Sequence, residues 1–301
     1  MNLENSLKPP SIITRIFLSP EETRLRAGWR LLLQTILLVM LVVFLSLVVY
    51  IPATTIGIST DGLLFGQINE FITISLSVFL ARRFLDRRSF SSLGFKIDWQ
   101  ALVDLFVGIV ISATMMGLIY WAMITLSWTT FTGYIWQTQS GYMVMLNILQ
   151  MLLVFILVGW NEELLSRGYH LQNLAEGTNM TWAVFLSSAV FGVLHWGNPN
   201  AAWNSVVGIF LAGIFLAFAY TRTRKLWLSI GLHIGWNFFE GVVFGFTVSG
   251  LDIYKLVHHT VTGPELWTGG AFGPEAGLII FPALFLGTVL VIFYTRSRTP
   301  A

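Results

Sequence analysis

The chain has 301 residues, of which 55% are hydrophobic and 11% charged, whereas a soluble protein has about 25% charged residues. The formal net charge is only +2, and the basic residues fall in short segments between apolar runs, which argues against a nucleic-acid partner. There is no cysteine, which excludes disulfides, cysteine-ligated zinc and a thiol nucleophile.

About eight apolar runs reach or approach the roughly 20 residues that a helix needs to span a bilayer. They predict an all-α polytopic membrane protein, a bundle of about eight transmembrane helices. The fourth run is too long for a simple span, so we expect it to tilt or to project from the membrane. In chain order the runs are 29–51, 63–81, 101–126, 143–174, 181–196, 202–220, 226–248 and 277–294.

Basic residues are concentrated in alternate loops and near the termini, as the positive-inside rule predicts for a protein with both termini in the cytoplasm. The exception is Lys255 in the long loop 249–276, which we expect to be an ordinary solvated loop. The basic residues of the predicted cytoplasmic loops and of the C-terminal end are Arg82, Arg83, Arg87, Arg88, Lys96, Arg222, Arg224, Lys225, Arg296 and Arg298.

We divide the chain into a cytoplasmic tail (1–28), a transmembrane helical domain (29–296) and a second cytoplasmic tail (297–301). The first tail is polar and precedes a long apolar run, so a cleaved signal peptide is not expected. Apolar residues at 12–18 could form a short helix on the membrane surface, or this part could be a partly ordered tail.

Two adjacent carboxylates and an arginine end the apolar run 143–160. Charge is costly inside a bilayer, and ionisable residues there indicate a functional site. Glu163 and Arg167 are four residues apart and can pair on one face of a helix. Glu162 points about 100° away and has Ser166, not a base, one turn on. We therefore expect Glu163 to be neutralised structurally and Glu162 to be available for chemistry.

Two further polar insertions follow, one at His195 and one at His233 and Asn237. If runs four and five form a hairpin, Glu162 and His195 lie roughly 16 residues on either side of its turn and reach the same depth. His233 and Asn237 share one helix face. Each residue alone has a structural explanation in helix packing. Together, a carboxylate, two imidazoles and a carboxamide can activate water and bind an oxyanion, and an ion site is the next alternative.

Other polar or aromatic residues inside the runs have weaker claims. Glu240 shares the face of His233 and Asn237 and is equally compatible with tuning the site or with an interhelical hydrogen bond. Glu70 is expected to be structural or to line a cavity. Three tryptophans within two residues of a site residue could wall the cavity or simply pack: Trp160, Trp196 and Trp236.

The patterns Glu-Glu-x-x-x-Arg, Phe-x-x-x-His and His-x-x-x-Asn, in this order on hydrophobic segments, resemble the CPBP family of intramembrane peptidases, the CAAX proteases and bacteriocin-processing enzymes. The resemblance covers about 143–248, the predicted catalytic core. It implies an endopeptidase and assigns its roles by motif position. Glu162 and His195 would activate water, His233 and Asn237 would stabilise the oxyanion, and Glu163 and Arg167 would support the site.

The resemblance implies a membrane-associated or lipidated peptide substrate and leaves the mechanism open. Without a cofactor, Glu162 would act as general base with His195. With a divalent ion such as zinc, the ligands would be Glu162, His195 and His233. The chain lacks His-Glu-x-x-His, so we favour the metal-free version. The rival functions are a non-enzymatic scaffold or bacteriocin-immunity-type protein, and a proton-coupled transporter.

Overall fold

The computed structural model describes residues 16–19, 24–57, 59–60 and 62–298. Most of the predicted surface helix at 12–18 and the last three residues lie outside this part of the chain. The strands are β1 (Thr129–Tyr134) and β2 (Val257–Val261). The helices are α1 (Ala27–Leu45), α2 (Leu63–Leu80), α3 (Trp99–Thr125), α4 (Gly141–Glu163), α5 (Leu171–Gly177), α6 (Met180–Leu194), α7 (Trp203–Thr223), α8 (Trp227–Asn237), α9 (Glu265–Thr268) and α10 (Ile280–Thr295).

The predicted all-α membrane class is confirmed. In the described residues, 6 helical segments are long and apolar enough to cross a membrane. A π-helical segment, Ser46–Tyr50, joins α1 to a short final helix, Ile51–Thr55. Another π-helical segment joins α4 to α5. The seventh and eighth predicted runs form the shorter helices α8 and α10. The spanning segments are Ala27–Thr55, Leu63–Leu85, Trp99–Thr125, Gly141–Gly177, Met180–Gly197 and Trp203–Thr223.

Side-chain caps set where three of these helices begin. Asp98 accepts a hydrogen bond from the Ala101 amide at the start of α3, and its carboxylate also pairs with Lys225 at 2.8 Å. Ser140 and Asn179 cap α4 and α6 in the same way. Each cap satisfies an amide that the first helical turn leaves unbonded.

Helix α8 is buried between α3, α4 and α7 instead of facing lipid. Small residues allow the close crossing with α3: a Cβ on Gly231 would lie 2.1 Å from the Leu105 carbonyl oxygen. The Ser112 hydroxyl donates to the Leu232 carbonyl across the same crossing, at 2.6 Å. Such contacts are typical of membrane helices, which associate through packing and hydrogen bonds. They fix the helix that carries His233 and Asn237.

The loop 249–276 is folded, and its expected solvation is wrong. Its strand β2 pairs antiparallel with β1, with Thr129 opposite Val261 and Tyr134 opposite Val257. Phe272 and Glu275 are buried, and burial lowers the pKa of His259 to about 4. We call residues 244–279 the strap; they lie between Phe238–Val243, the π-helical segment that follows α8, and helix α10. The sequence of this loop has no regular apolar periodicity that would predict such packing, because the packing depends on long-range contacts.

Candidate active site

The helices that carry the predicted site residues widen directly after them. A π-helical segment, Leu164–His170, follows Glu163 at the end of α4. A second, Phe238–Val243, follows Asn237 at the end of α8. Wide turns of this kind are rare and occur frequently at functional sites. The first segment contains Arg167, which still pairs with Glu163 four residues before it.

One cavity of about 680 Å³ brings together Glu162, His195, His233 and Asn237, which all line it. Glu162 Oε2 lies 3.7 Å from His195 Nε2 and 3.6 Å from His233 Nε2. These distances exceed a direct hydrogen bond. One carboxylate oxygen therefore faces two imidazoles without bonding to either directly. A water molecule or a substrate group could contact the carboxylate and an imidazole together.

His195 is held by its own backbone. It follows α6 in a short 3₁₀ turn, His195–Gly197, and its Nδ1 lies 2.8 Å from the Phe191 carbonyl oxygen. A carbonyl can only accept, so Nδ1 carries the proton. Nε2 then presents its lone pair toward Glu162, as a proton acceptor requires.

Glu163 accepts from two sides. Its Oε1 lies 2.8 Å from Arg167 Nη1, the pair expected from spacing, and 2.9 Å from His233 Nδ1. The contact with His233 was not expected. All three side chains are buried, Glu163 completely. Glu163 thus orients one site histidine while Arg167 neutralises it.

Arg167 ties this cluster to two more helices. Its Nη2 donates to the Gly213 carbonyl on α7 at 3.0 Å. Its guanidinium lies 4.3 Å from the centre of the Phe191 ring on α6, within the range of a cation–π contact. The Phe191 ring also packs against His195 and His233. The aromatic residue of the second motif therefore contacts both histidines and the arginine.

Of the residues with weaker claims, two line the cavity and three do not. Glu70 lines the cavity, as does Trp236. Trp160 instead donates to Ser75 on α2, and Trp196 is 59% exposed, so neither walls the site. Glu240 lies outside the cavity lining and is fully buried. Neither of its carboxylate oxygens has a described partner with hydrogen-bond geometry, so the interhelical hydrogen bond is absent there.

Sequence reasoning missed two residues of the strap, Ser249 and Glu275, which line the same cavity. Burial raises the pKa of the Glu275 carboxyl, while hydrogen bonds from Ser249 and Trp236 oppose that rise. The available signal was an isolated acid among small and apolar residues, in the segment Ala271 to Phe281.

The donor set gives a weak fit to a metal. Among the described residues, no group of three or more histidine, cysteine or carboxylate side chains is arranged to hold an ion. We therefore derive no step through a metal.

Residues 143–239 match the family model of the Rce1-like type II CAAX prenyl endopeptidases. The match confirms, over this segment, the resemblance to the CAAX proteases that the three motifs predicted. The matched segment runs from α4 to the second π-helical segment and contains all three motifs. No curated protein matches the chain. The match to this family, with the membrane-spanning helices, supports an integral membrane endopeptidase of the CAAX type.

Proposed function

We propose that this protein hydrolyses a peptide bond with water activated by Glu162 and His195, and stabilises the oxyanion with His233 and Asn237. The observation that carries the proposal is the position of Glu162 Oε2, 3.7 Å from one histidine and 3.6 Å from the other. A water held there would contact a carboxylate and an imidazole acceptor at once. Proton transfer by a positioned side chain contributes typically about 10²–10⁴-fold to rate.

The chemistry follows from which atoms are committed elsewhere. Glu163 is bonded to Arg167 and His233, so Glu162 is the carboxylate left to accept the proton of water. The hydroxide oxygen attacks the carbonyl carbon, and the carbonyl π electrons move to oxygen. The acquired proton then passes to the leaving amine as the carbon–nitrogen bond breaks. Glu162 is returned to its ionised form, so the cycle closes.

The oxyanion site needs donors that are fixed before reaction. His233 and Asn237 are one turn apart on α8, which is clamped to α3 by the Gly231 crossing. The Nδ1 contact with Glu163 fixes the His233 ring so that Nε2 faces the cavity. A protonated Nε2 and the Asn237 amide would together meet the developing negative charge.

Asn237→Ala is expected to lower kcat by about 10²–10³-fold, the usual effect of removing one oxyanion donor. KM should change little, because the lost interaction forms only in the transition state. Steady-state cleavage of an internally quenched peptide ending in a farnesylated CAAX sequence measures both constants. Asn147→Ala, on α4 outside the cavity lining, is the matched control. A wild-type kcat for Asn237→Ala would remove Asn237 from the site.

The cavity also suits a lipidated substrate. Its lining is mostly apolar and includes Leu38 and Val42 of α1 and Phe155 of α4. A site of this size lies within the usual range for small ligands, about 300–1,000 Å³. A hydrocarbon chain could occupy the apolar part while the peptide bond reaches Glu162. The family's prenylated substrates have this chemistry, and we extend it to this chain as part of the proposal.

Chelation separates the two mechanisms. We expect purified protein treated with chelator to keep full activity on the same peptide, with no stoichiometric metal in elemental analysis, because Glu162 is the base. The control is a zinc peptidase treated in parallel, which should lose activity. Activity that disappears with chelation and returns with zinc would contradict the metal-free mechanism.

Peptidase activity in detergent solution tests the function itself. A peptidase needs no closed compartment, whereas a transporter must move solute across sealed vesicles. We expect the purified protein to cleave the farnesylated peptide in micelles and to give one new amine per bond. Absence of cleavage for farnesylated, other lipidated and unmodified peptides, with folded protein, would favour a scaffold.

A further inference from the structure

Glu275 lines the same cavity as Glu162, on a segment that no motif includes. Its side chain is 4% exposed. The carboxylate accepts three hydrogen bonds: Oε1 from Trp236 Nε1 at 3.1 Å, and Oε2 from the Ser249 amide and hydroxyl, each at 2.7 Å. All three of these hydrogen bonds come from residues that line the same cavity. A buried carboxylate that is held in this way calls for a structural or functional explanation.

One of these hydrogen bonds connects Glu275 to α8, the helix that carries His233 and Asn237. Trp236 precedes Asn237 directly on α8 and lines the same cavity. Its indole N–H donates to Glu275 at 3.1 Å. This bond fixes the rotation of the last turn of α8, from which Asn237 projects. The same turn widens immediately afterwards, so the helix itself gives that end less support.

The hydrogen bonds from Ser249 connect Glu275 to the 3₁₀ turn that carries His195. The Asn198 side chain, at the end of the His195–Gly197 turn, donates to the Ser249 carbonyl at 3.0 Å. Ser249 in turn donates its amide and hydroxyl to Glu275. A chain of hydrogen bonds therefore runs from the histidine turn through Ser249 to the carboxylate.

The backbone of Glu275 is itself fixed against α7. A Cβ on Gly208 would lie 1.8 Å from the Glu275 carbonyl oxygen, so the strap approaches that helix as closely as a glycine permits. Asn204 donates to the neighbouring Ala276 carbonyl at 3.0 Å. Glu275 thus stands on a rigid base and reaches two site elements that have no direct connection in the sequence.

We propose that Glu275 is a positioning residue of the active site, which holds the Asn237 end of α8 and the His195 turn at a fixed separation across the cavity. The inference rests on the proposed function, because it assigns Glu275 to the geometry of that reaction. Outer partners of this kind orient reacting groups, and a misplacement of about 1 Å can cost roughly 10²-fold in rate.

Steady-state cleavage of the farnesylated peptide tests the proposal in the full-length protein. Glu275→Gln replaces one acceptor oxygen with an N–H₂ group, so either the Trp236 or the Ser249 connection is lost and kcat should fall about 10–100-fold. KM should stay within about twofold, since Glu275 acts on the catalytic groups and not on substrate. Glu265→Gln, an exposed glutamate of the same strap, is the matched control and should behave as wild type.

Ser249→Ala supplies a second variant that keeps Glu275 in place. It removes the hydroxyl bond and leaves the amide bond, so kcat should fall about 3–10-fold with KM unchanged. The double variant should be no more than about twofold slower than Glu275→Gln, because both substitutions act through one connection. A purely structural role would lower the amount of folded protein and leave kcat per folded molecule unchanged.

The possible failures are distinct. A wild-type kcat for Glu275→Gln, beside an inactive Glu162→Gln, overturns the positioning role and leaves the proposed function standing. A raised KM with unchanged kcat also overturns it, since Glu275 would then bind substrate. If Glu275→Gln does not fold, the Ser249→Ala kcat decides. Activity in Glu162→Gln would overturn the proposed function, and this inference with it.

Discussion

Glu162→Gln is expected to lower kcat/KM for a farnesylated CAAX peptide by about 10³-fold or more, near the upper end of what general-base removal costs. Glutamine keeps the size and one carbonyl oxygen of the side chain but cannot take a proton from water. Glu162 accepts no described hydrogen bond through Oε2, so the substitution breaks no direct hydrogen bond there. Folding should therefore be preserved, and the loss should fall on kcat.

The measurement is steady-state cleavage in micelles, with the thermal unfolding midpoint of each purified variant as the check on folding. Glu265→Gln controls for the loss of one carboxylate at a distance from the cavity. An unfolding midpoint close to wild type with loss of cleavage supports the general base. Cleavage within tenfold of wild type would show that another group activates the water.

The fold class could be predicted because lipid imposes length and composition on every span. The eight apolar runs each contain a helix, and the spacing of Glu163 and Arg167 predicted their ion pair. The lengths of α8 and α10 could not be predicted in the same way. Helix α8 is buried by other helices, so its sequence is apolar for a reason that hydropathy alone does not separate from contact with lipid.

Motif spacing could predict which residues lie at the candidate site, but not the contacts between residues far apart in the sequence. Motif spacing placed Glu162, His195, His233 and Asn237 at one depth, and the structure places all four around one cavity. The contact of Glu163 with His233 required knowledge of how α4 and α8 face each other. Glu275 required the path of the strap, which no periodicity in its sequence encodes.

Arg167→Met is expected to destabilise the protein by about 3–5 kcal/mol, the usual cost of removing one partner of a buried ion pair. Glu163 would keep its charge at zero exposure with only His233 beside it. The hydrogen bond to Gly213 and the contact with Phe191 would also be lost. Cleavage should fall as well, because Glu163 would no longer hold His233 in one orientation. Unfolding midpoints and kcat measure the two losses separately.

The double variant Glu163→Met with Arg167→Met separates stability from catalysis. Replacing both members of a buried pair by apolar groups of similar size is often neutral for stability, so the midpoint should recover most of the single-variant loss. Activity should stay low, because His233 Nδ1 has lost its acceptor and its ring is no longer oriented. A double variant that recovered activity together with stability would show that the Glu163–Arg167 pair serves only the fold, and that His233 finds its position without it.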